Sequence, residues 1–564
     1  MSKRVLIASN LFPPFVVGGA EIVAERQARA LAERGNDVTV FAGCFRGKDQ
    51  EPGSLTRDDH GGIPVYRTVL PSLDPDGNFF RPEFGRRLTA IMAAHRPEVV
   101  HFHNVAGLGI NLLPVAKAFG AKVVVTLHDH WGICFKNTLL RNDQRLCPDT
   151  EDCAVCRPRI QAFDNVTIPM RLRRDYVAWC LSHADMLVSP SSYLARAYNT
   201  SQALTRPVRV LSNGINLNVV QTKPDKFRTP IQFACFSYLG QHKGILQLLE
   251  AAERLASIPD LRGRWKLTIA GHGDLAPKLE AGISSGRFGD SVTYLGRLTH
   301  QEALKVLAQT HVVVLPSVWP ENEPVTMLEA IASGTAQIAS RIGGNIELVE
   351  EEKSGLFFTP GDSTSLLAAM ERFVRDPDLA QRFGHYNAAR RSSFAEEATI
   401  EKMLAFYDES PEPSLREEVI VICVGRPPAQ ELDLMMHHFH KIEQPGRRVR
   451  FIWNRWADAL VWRRAHLVWF WGSIGDTDIA LASQALRYGA PILAQEDTPL
   501  ASLAESSGNL GAYTNMLDAL GLIAALADAP DLKEELAIDN SSASRLLGAV
   551  ARRSTFYLPT RSIP

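Results

Sequence analysis

The chain has 564 residues, more than one hydrophobic core usually covers, so we expect two or three domains. Apolar residues make up 45% and charged residues 22%, which is typical of a soluble globular protein. The 61 Lys and Arg residues almost balance the 62 Asp and Glu residues, so no overall positive field favours nucleic acid as a partner.

Hydropathy along the chain indicates the cellular compartment of the protein. The first apolar run, RVLIAS, is soon followed by polar residues and prolines, and no later run reaches the length of a membrane span. We therefore expect a cytoplasmic protein. In that compartment the eight cysteines are not expected to form a disulfide framework.

The first 45 residues predict a strand, a loop, a helix and a second strand. RVLIAS is the first strand, and NLFPPFVVGGAE is a loop rich in Pro and Gly. The helical spacing of AEIVAERQARALAERG ends at Gly35, a favourable helix C-cap, and DVTVFAG is the next strand. Alternation of strands and helices predicts an α/β domain with a parallel sheet.

Histidines stand at the ends of two further strands, EVVHFHN and KVVVTLHDH. In open α/β sheets the ligand crevice lies beyond the carboxyl ends of the strands. The sequence therefore places His101, His103 and residues 128–130 at such a crevice.

The α/β pattern begins again after residue 230, with strands predicted at IQFACFSYLG, WKLTIAGHG, SVTYLG, HVVVLPS and AQIAS. We therefore predict two doubly wound domains, residues 1–208 and 209–408, facing a cleft. FAEEATIEKMLAFYDE is predicted as an amphipathic helix that closes the second domain. SPEPS, residues 410–414, is a linker into a third domain over residues 409–564.

The third domain contains a segment similar to part of the second. Residues 465–495 resemble residues 310–340 at an offset of 155, with His466 opposite His311, Ala485 opposite Ala330 and Gly489 opposite Gly334. Coincidence between two ordinary α/β segments is one interpretation. The shared order of strand, acidic loop, helix and strand favours the other, a degenerate duplication.

Three glutamates crowd the stretch VWPENEPVTMLEAIASG, residues 318–334. Pro324 suits the first turn of a helix, which puts Glu321 and Glu323 at its positive end. Glu329 lies further inside, between apolar neighbours. The acids either cap the helix and face solvent, or they await a polar ligand, since an unpaired buried charge is costly.

A Glu-x7-Glu pair before EA-x-A-x-G, after a strand ending in PS, resembles the retaining nucleotide-sugar glycosyltransferases of the GT-B fold, the large family four, group 1. The other motifs of the family follow in order over about residues 3–408: GGAE, HFHN, TLHDHW, SNGIN, HKG, AGHG, VTYLGRL, VVVLPS and GGNIELV. The resemblance implies two Rossmann-like domains facing a cleft, followed here by a third, degenerate Rossmann-like domain.

The resemblance also implies roles for the matching residues. Glu321 would contact hydroxyls of the donor sugar, Glu329 the ribose, and Lys243 the diphosphate, beside a helix start that favours anions. The implied catalytic residues are His128, Glu321 and Lys243, and the implied substrate-binding residues are Gly18, Gly19, His103, Glu323, Pro324, Val325 and Glu329. A surface lysine, a ligand-free Gly-Gly turn and a structural histidine are the alternatives for Lys243, the glycines and His128.

One position departs from the family pattern. Members usually carry an Arg about five residues before the Lys-Gly, as a second cation for the diphosphate, whereas FSYLGQHKG has Tyr238 near that place. Either another basic residue substitutes for it, or the affinity for donor is low.

The implied reaction is transfer of a sugar from a nucleotide-diphosphate sugar, with retention, to a glycan or lipid-linked acceptor in surface polysaccharide biosynthesis. The family needs no metal for catalysis, and DPD (74–76) and DTD (476–478) are better interpreted as turns. The alternative is a non-catalytic sugar-nucleotide-binding or scaffold protein.

Four cysteines fall within a loop-rich insertion, residues 134–156. The spacing C-x12-C-x5-C-x2-C is compatible with a structural zinc site formed by Cys134, Cys147, Cys153 and Cys156. Free thiols or a redox pair are the alternative.

RLRRDYVAW, residues 171–179, mixes arginines with Tyr176 and Trp179. Such a segment suits a peripheral contact with a membrane at its inner face. A solvated helix face beside a core stripe is the interpretation we favour.

The third domain lacks the acids of the second. At the offset of 155, Asp476 replaces Glu321 and Gln484 replaces Glu329, and the region around Arg426 has no Lys-Gly. We therefore predict that it binds no donor and serves an accessory role.

Overall fold

The computed structural model describes residues 2–47, 51–72, 76–147, 153–161, 167–201, 204–220, 229–414, 417–425, 447–453, 459–471, 476–496, 498, 500–501, 510–513, 519 and 522–524.

The first domain is built on a mostly parallel sheet. The strands of this sheet are β1 Arg4–Leu11, β2 Asp37–Cys44, β3 Leu55–His60, β4 Ile63–Val69, β5 Val99–Phe102, β6 Lys122–Thr126, β9 Met186–Ser189 and β10 Val208–Val210. Two further strands, β7 Arg159–Gln161 and β8 Thr167–Pro169, form a separate antiparallel pair. Its helices are α1 Gly19–Glu33, α2 Pro82–His95, α3 Leu112–Ala118, α4 Met170–Leu181 and α5 Ser192–Thr200. The strand order is β10-β9-β6-β5-β1-β2-β4-β3, and β3 alone among these runs antiparallel to its neighbour.

Strand order explains where the first crevice lies. Beyond its first residue, β1 is buried throughout, as expected for a central strand covered on both faces. The chain leaves β1 toward β2 on one side, and β5 pairs with β1 on the other, with Ile7 opposite His101. This reversal of strand order opens a crevice at the carboxyl ends. The prediction that His101 and His103 lie at strand ends is thus confirmed.

The second domain has an all-parallel sheet in the order β13-β12-β11-β14-β15-β16. Its strands are β11 Ile231–Phe236, β12 Trp265–Ala270, β13 Val292–Tyr294, β14 Val312–Leu315, β15 Ala336–Ser340 and β16 Gly355–Phe358. Its helices are α6 Ile245–Ser257, α7 Ala276–Ser284, α8 His300–Gln309, α9 Val325–Ser333, α10 Asn345–Leu348, α11 Ser363–Arg375 and α12 Pro377–Arg390. The order reverses between β11 and β14, so the second crevice lies beyond their ends.

The closing helix α13, Glu396–Asp408, returns to the first domain. Ile400 and Met403 lie in one apolar cluster with Val5 and residues of α1. At its end the Tyr407 hydroxyl is 2.8 Å from His101 Nδ1. The helix predicted to close the second domain therefore fastens that domain to the first.

The described residues of the third domain form a parallel sheet of five strands in the order β18-β17-β19-β20-β21. Its elements are β17 Glu417–Gly425, β18 Arg447–Trp453, α14 Ala459–Arg464, β19 Leu467–Trp471, α15 Asp476–Arg487, β20 Ile492–Gln495 and β21 Leu510–Tyr513. This order corresponds to β12-β11-β14-β15-β16 of the second domain.

One local contact recurs in both domains. The ring nitrogen Nδ1 of His311 accepts a hydrogen bond of 3.1 Å from the Gln232 amide, and Nδ1 of His466 accepts one of 3.1 Å from the Ile420 amide. The backbone amides of the two histidines donate back to the same two residues.

The third domain packs on α4 of the first. Arg171 donates to the Val449 carbonyl at 3.0 Å, and the Phe451 amide donates to Asp175 at 3.1 Å. Arg171 and Arg173 are 7% and 1% exposed. The expectation that this basic segment forms a solvated or membrane-facing helix is therefore wrong for these two arginines. No helix in the described ranges is long and apolar enough to cross a membrane.

Removal of the hydroxyl that links α13 to the first domain tests this architecture. We expect Tyr407→Phe to lower the free energy of unfolding by about 1 kcal/mol, because it removes a buried hydrogen bond from His101 and keeps the ring. Urea unfolding would measure the change. Tyr386→Phe, which removes a hydroxyl bonded to Glu350, is the matched control and should change stability by less. Equal stability of Tyr407→Phe and wild type would contradict the expectation.

Candidate active site

The two crevices face each other, and a loop of the second domain bridges them. The loop after β14 carries Asn322, whose side-chain amide donates to the His128 carbonyl at 3.1 Å. The side-chain oxygen Oδ1 of Asn322 accepts from the Ser191 hydroxyl. Asn322 thus fixes the segment after β6, with His128, beside the loop that carries Glu321.

Lys243 and Glu321 form an ion pair at the carboxyl ends of β11 and β14. Lys243 Nζ lies 2.7 Å from Glu321 Oε1. The same oxygen accepts from Ser317 at 2.5 Å and from the indole of Trp319 at 2.8 Å. Lys243 also lies over the Trp319 ring, 4.5 Å from its centroid. Two residues that the sequence singled out separately are therefore brought together.

A glycine is required beside Lys243. Gly244 has φ +70°, and a Cβ there would lie 1.8 Å from the Pro316 carbonyl oxygen. The His242 carbonyl accepts from the Val318 amide at 3.0 Å. The turn that presents Lys243 is therefore fixed against the loop that presents Glu321.

The charge state of Glu321 follows from these contacts. Burial alone would raise the pKa of its carboxyl, but the ion pair with Lys243 and three hydrogen bonds outweigh burial and lower the pKa. Glu321 is therefore an anion at neutral pH. All three donors reach Oε1, and no described residue donates to Oε2.

Glu329 projects from α9 toward the first domain. Its Oε1 accepts from His300 Nε2 at 2.7 Å and from Arg26 Nη2 of α1 at 3.2 Å. Glu329 and His300 line a cavity of about 190 Å³, together with Gly19 and Val325. The carboxylate is 7% exposed as a residue, so it is buried and paired, contrary to the interpretation as a solvated acid.

Three histidines of the first domain, His101, His103 and His128, form a stacked row. His103 Nδ1 lies 2.8 Å from His128 Nε2, and the ring of His101 stacks on His103 at 4.6 Å. Burial lowers the pKa of His101 to about 3 and that of His128 to about 4. Both are therefore neutral at pH 7, and His128 can offer a sugar a hydrogen bond but no charge.

A small interdomain cavity connects this row to Arg26. His103 and Arg26 both line a space of about 20 Å³ beneath α13, the room that one water molecule needs. His103 Nε2 and Arg26 Nη1 are buried and make no hydrogen bond with the described residues.

The Gly-Gly turn lies against the start of α9. The Gly18 amide donates to Glu21 at 2.7 Å, which caps α1. A Cβ at Gly19 would lie 3.1 Å from a methyl group of Val325. Gly19 therefore permits close approach of the two domains at the mouth of the cavity.

Glu323 has a different neighbour from the other acids. Its Oε2 accepts from the Asn213 amide of the interdomain segment at 2.6 Å. Burial raises the pKa of Glu323 to about 7. Pro324 follows as the N-cap of α9, and no described side chain caps that helix start.

Tyr238, near the position where the family resemblance led us to expect an Arg, stacks on His242 with ring centroids 6.0 Å apart. Its hydroxyl is 3.4 Å from Asp274. Tyr238 is thus part of an aromatic group with His242, the residue before Lys243.

The zinc prediction gains no support. Cys134, Cys147, Cys153 and Cys156 form no disulfide, and in the described ranges no three Cys, His, Asp or Glu side chains come together as metal ligands. Burial raises the pKa of Cys153 to about 11. Of the DPD segment, Asp76 pairs with Arg157 at 2.7 Å, while Asp74 lies outside the described residues, as does Arg426.

Sequence reasoning missed Arg26, His300 and Asn322. Each is a single polar residue whose partner lies in another part of the chain, 303 residues away for Arg26 and Glu329. The polar positions of the amphipathic helix α1 gave no sign that one of them would be buried.

Comparison with known proteins agrees with this geometry. Residues 17–219 match the family Glycosyltransferase Family 4, and residues 220–390 match Glycosyl transferases group 1. The chain therefore belongs to the group 1 glycosyltransferases, as the motifs predicted.

Individual relatives match about two thirds of the chain. The glycogen synthase of Mycobacterium tuberculosis is 26% identical over 405 residues, 67% of this chain and 88% of that protein. The MMP alpha-(1->4)-mannosyltransferase of Mycolicibacterium hassiacum is 25% identical over 421 residues, 70% and 95% of the two chains.

Solved structures share the fold. Sucrose-phosphate synthase from Thermosynechococcus elongatus superposes with a TM-score of 0.53 at 20% identity, over 72% of this chain and 98% of that one. Anabaena HepE in complex with UDP does so with a TM-score of 0.51 at 19% identity, over the same shares. The predicted GT-B fold is thus confirmed.

The raised pKa of Glu323 gives a pH-dependent expectation. Its protonated form is favoured in the folded state, so its contribution to stability is present below about pH 4.5 and is lost as the pH rises through about 7. Gln cannot titrate. We therefore expect the stability of Glu323→Gln relative to wild type to rise by about 2 kcal/mol between pH 5 and pH 8.

Urea unfolding at several pH values would test this. Glu280→Gln, on the exposed surface of α7, is the control and should show a smaller pH-dependent difference. A difference between Glu323→Gln and wild type that does not change with pH would contradict the assignment.

Proposed function

We propose that the chain is a retaining glycosyltransferase that transfers a sugar from a nucleoside-diphosphate sugar to a glycan or lipid-linked acceptor, in surface polysaccharide biosynthesis. The observation that carries this proposal is the ion pair of Lys243 and Glu321, 2.7 Å apart at the crevice of the second sheet. The relatives support it, since those named above include a glycogen synthase and a mannosyltransferase.

The cation of the pair suits the leaving group. In the transition state negative charge develops on the departing diphosphate, and a preorganised cation lowers the energy of that charge. Lys243 is held in place by Glu321 and by the ring of Trp319. The first amides of α9, after Pro324, add partial positive charge beside it.

The acid of the pair suits the transferred sugar. Glu321 keeps Oε2 without a donor among the described residues, so this oxygen can accept from a sugar hydroxyl. His128, neutral and held by Asn322, would meet the same sugar from the first domain. The sugar would thus be oriented from both sides of the cleft.

Retention is the outcome that the family resemblance implies, and the contacts of Glu321 bear on the route to it. Three donors on one oxygen hold this carboxylate as a hydrogen-bonding group, which makes it a poor nucleophile for a double displacement. We propose front-face substitution, in which the acceptor oxygen bonds to the anomeric carbon as the bond to the diphosphate breaks. The departing phosphate oxygen then takes the acceptor proton.

The third domain is proposed to be an accessory copy of the second that binds no donor. The matching strand order and the recurring histidine contact support a duplication. Gln484 stands where the second domain has Glu329, so the carboxylate for a ribose is missing. The packing of the third domain on α4 supports a role in stabilising the first domain.

A non-catalytic sugar-nucleotide-binding protein is the second candidate. Tyr238, in place of the expected cation, is the observation that favours it, because less positive charge would meet the diphosphate.

Donor turnover separates the two candidates. Wild-type protein is incubated with UDP-, ADP- and GDP-linked sugars, release of nucleotide is measured, and the anomeric configuration of the transferred sugar is read by proton NMR. We expect release from at least one donor with retained configuration. Glu321→Gln should reduce the rate about 100-fold, since it removes the charge that holds Lys243 and the sugar.

Glu401→Gln, an exposed position on α13, is the matched control and should retain the wild-type rate. Absence of turnover with every donor would favour the non-catalytic candidate. Turnover that Glu321→Gln leaves unchanged, or an inverted product, would contradict the proposed mechanism.

A further inference from the structure

Arg26 of the first domain reaches across the cleft to the acid of α9. Its Nη2 lies 3.2 Å from Glu329 Oε1 and 3.3 Å from His300 Nε2, and His300 Nε2 lies 2.7 Å from the same oxygen. The side chains of Arg26 and Glu329 are 6% and 10% exposed. The pair is therefore buried and joins two domains.

The side from which Arg26 reaches Glu329 decides whether it supports the carboxylate or blocks a ligand. Glu329 and His300 line the cavity of about 190 Å³ between the domains, and Arg26 does not. Arg26 instead lines two other cavities, one beneath α13 and one beside residues 216–220 of the interdomain segment. It therefore contacts Glu329 from behind, and the cavity in front of the carboxylate stays open.

The two oxygens of Glu329 differ as a result. Both donors, Arg26 and His300, reach Oε1. No described residue donates to Oε2. A carboxylate held by one oxygen through charge-assisted hydrogen bonds has a fixed orientation, and its second oxygen is available to a ligand. An arginine suits this task because its planar fork is already ordered.

We propose that Arg26 is a positioning residue for the nucleotide. It holds Oε1 of Glu329 so that Oε2 meets the vicinal hydroxyls of a ribose, and it thereby makes recognition of the ribose depend on the first domain. This inference rests on the proposed function, in which Glu329 binds the ribose of the donor.

The opposite role is also open to test. If Arg26 competed with the ribose for Glu329, its removal would strengthen nucleotide binding. The open cavity in front of Glu329 argues for support of the carboxylate and against competition.

The experiment compares ribose with deoxyribose. Binding of UDP, ADP and GDP to the full chain is measured by titration calorimetry, and the nucleotide that binds is then compared with its 2′-deoxy form. We expect wild type to prefer the ribose form, because the missing hydroxyl leaves Oε2 without its donor. Arg26→Met should weaken binding of the ribose form about tenfold and leave the deoxy form almost unchanged. The ratio of the two affinities should therefore approach one.

Two further variants complete the design. Arg26→Lys keeps the charge without the fork and should give an intermediate ratio. Arg29→Met is the matched control, one turn along α1, where Arg29 pairs with Glu25 and Glu33 on the outer face. It should keep the wild-type ratio. In turnover assays Arg26→Met should raise the donor KM about tenfold with little change in kcat, whereas a general loss of structure would lower kcat.

The outcomes separate the two proposals. An unchanged ratio in Arg26→Met, or tighter binding of the ribose form, would overturn the role of Arg26 and leave the proposed function intact. Failure of wild type to bind any nucleotide would overturn the proposed function, and the role of Arg26 with it. The ratio of the two nucleotide affinities is taken within one preparation, so partial unfolding of the protein does not change it. If Arg26→Met does not fold, the affinity ratio of Arg26→Lys tests the proposal instead.

Discussion

The ion pair between Lys243 and Glu321 is the interaction on which the proposed chemistry depends. Each charge would be costly to bury alone, and each is stabilised by the other and by Trp319. The surrounding backbone positions this pair, because the turn that presents Lys243 requires a glycine at Gly244. The protein thus holds a cation and an anion together at the place where, in the proposed function, a diphosphate and a sugar would meet.

Each of the three acids in the loop before α9 and in its first turns has a partner in the protein. Glu321 faces Lys243 within its own domain, Glu323 fastens the interdomain segment at Asn213, and Glu329 meets Arg26 of the first domain. Asn322 adds the contact with His128. The segment that carries the proposed donor site therefore also joins the two domains.

The sequence predicted the parts of this site that have local signals. The ordered motifs, through the family resemblance, pointed to Lys243, Glu321, Glu329 and His128, and parallel-sheet folds place segments after strand ends at one edge. Pairings between the domains had no local signal, so Arg26 was missed and Arg171 was expected at the surface. The cysteine spacing shows the reverse case, in which a suggestive pattern does not bring its members together as metal ligands in the described ranges.

The central claim is that one donor site per chain is built around Lys243 and that the third domain has none. Calorimetric titration of the full chain with the nucleoside diphosphate that binds it tests this claim directly, with Lys243→Met beside wild type. We predict one molecule bound per wild-type chain and an affinity at least tenfold weaker in Lys243→Met, because the charge facing the diphosphate is removed. Two molecules per chain, or an affinity that Lys243→Met leaves unchanged, would contradict it.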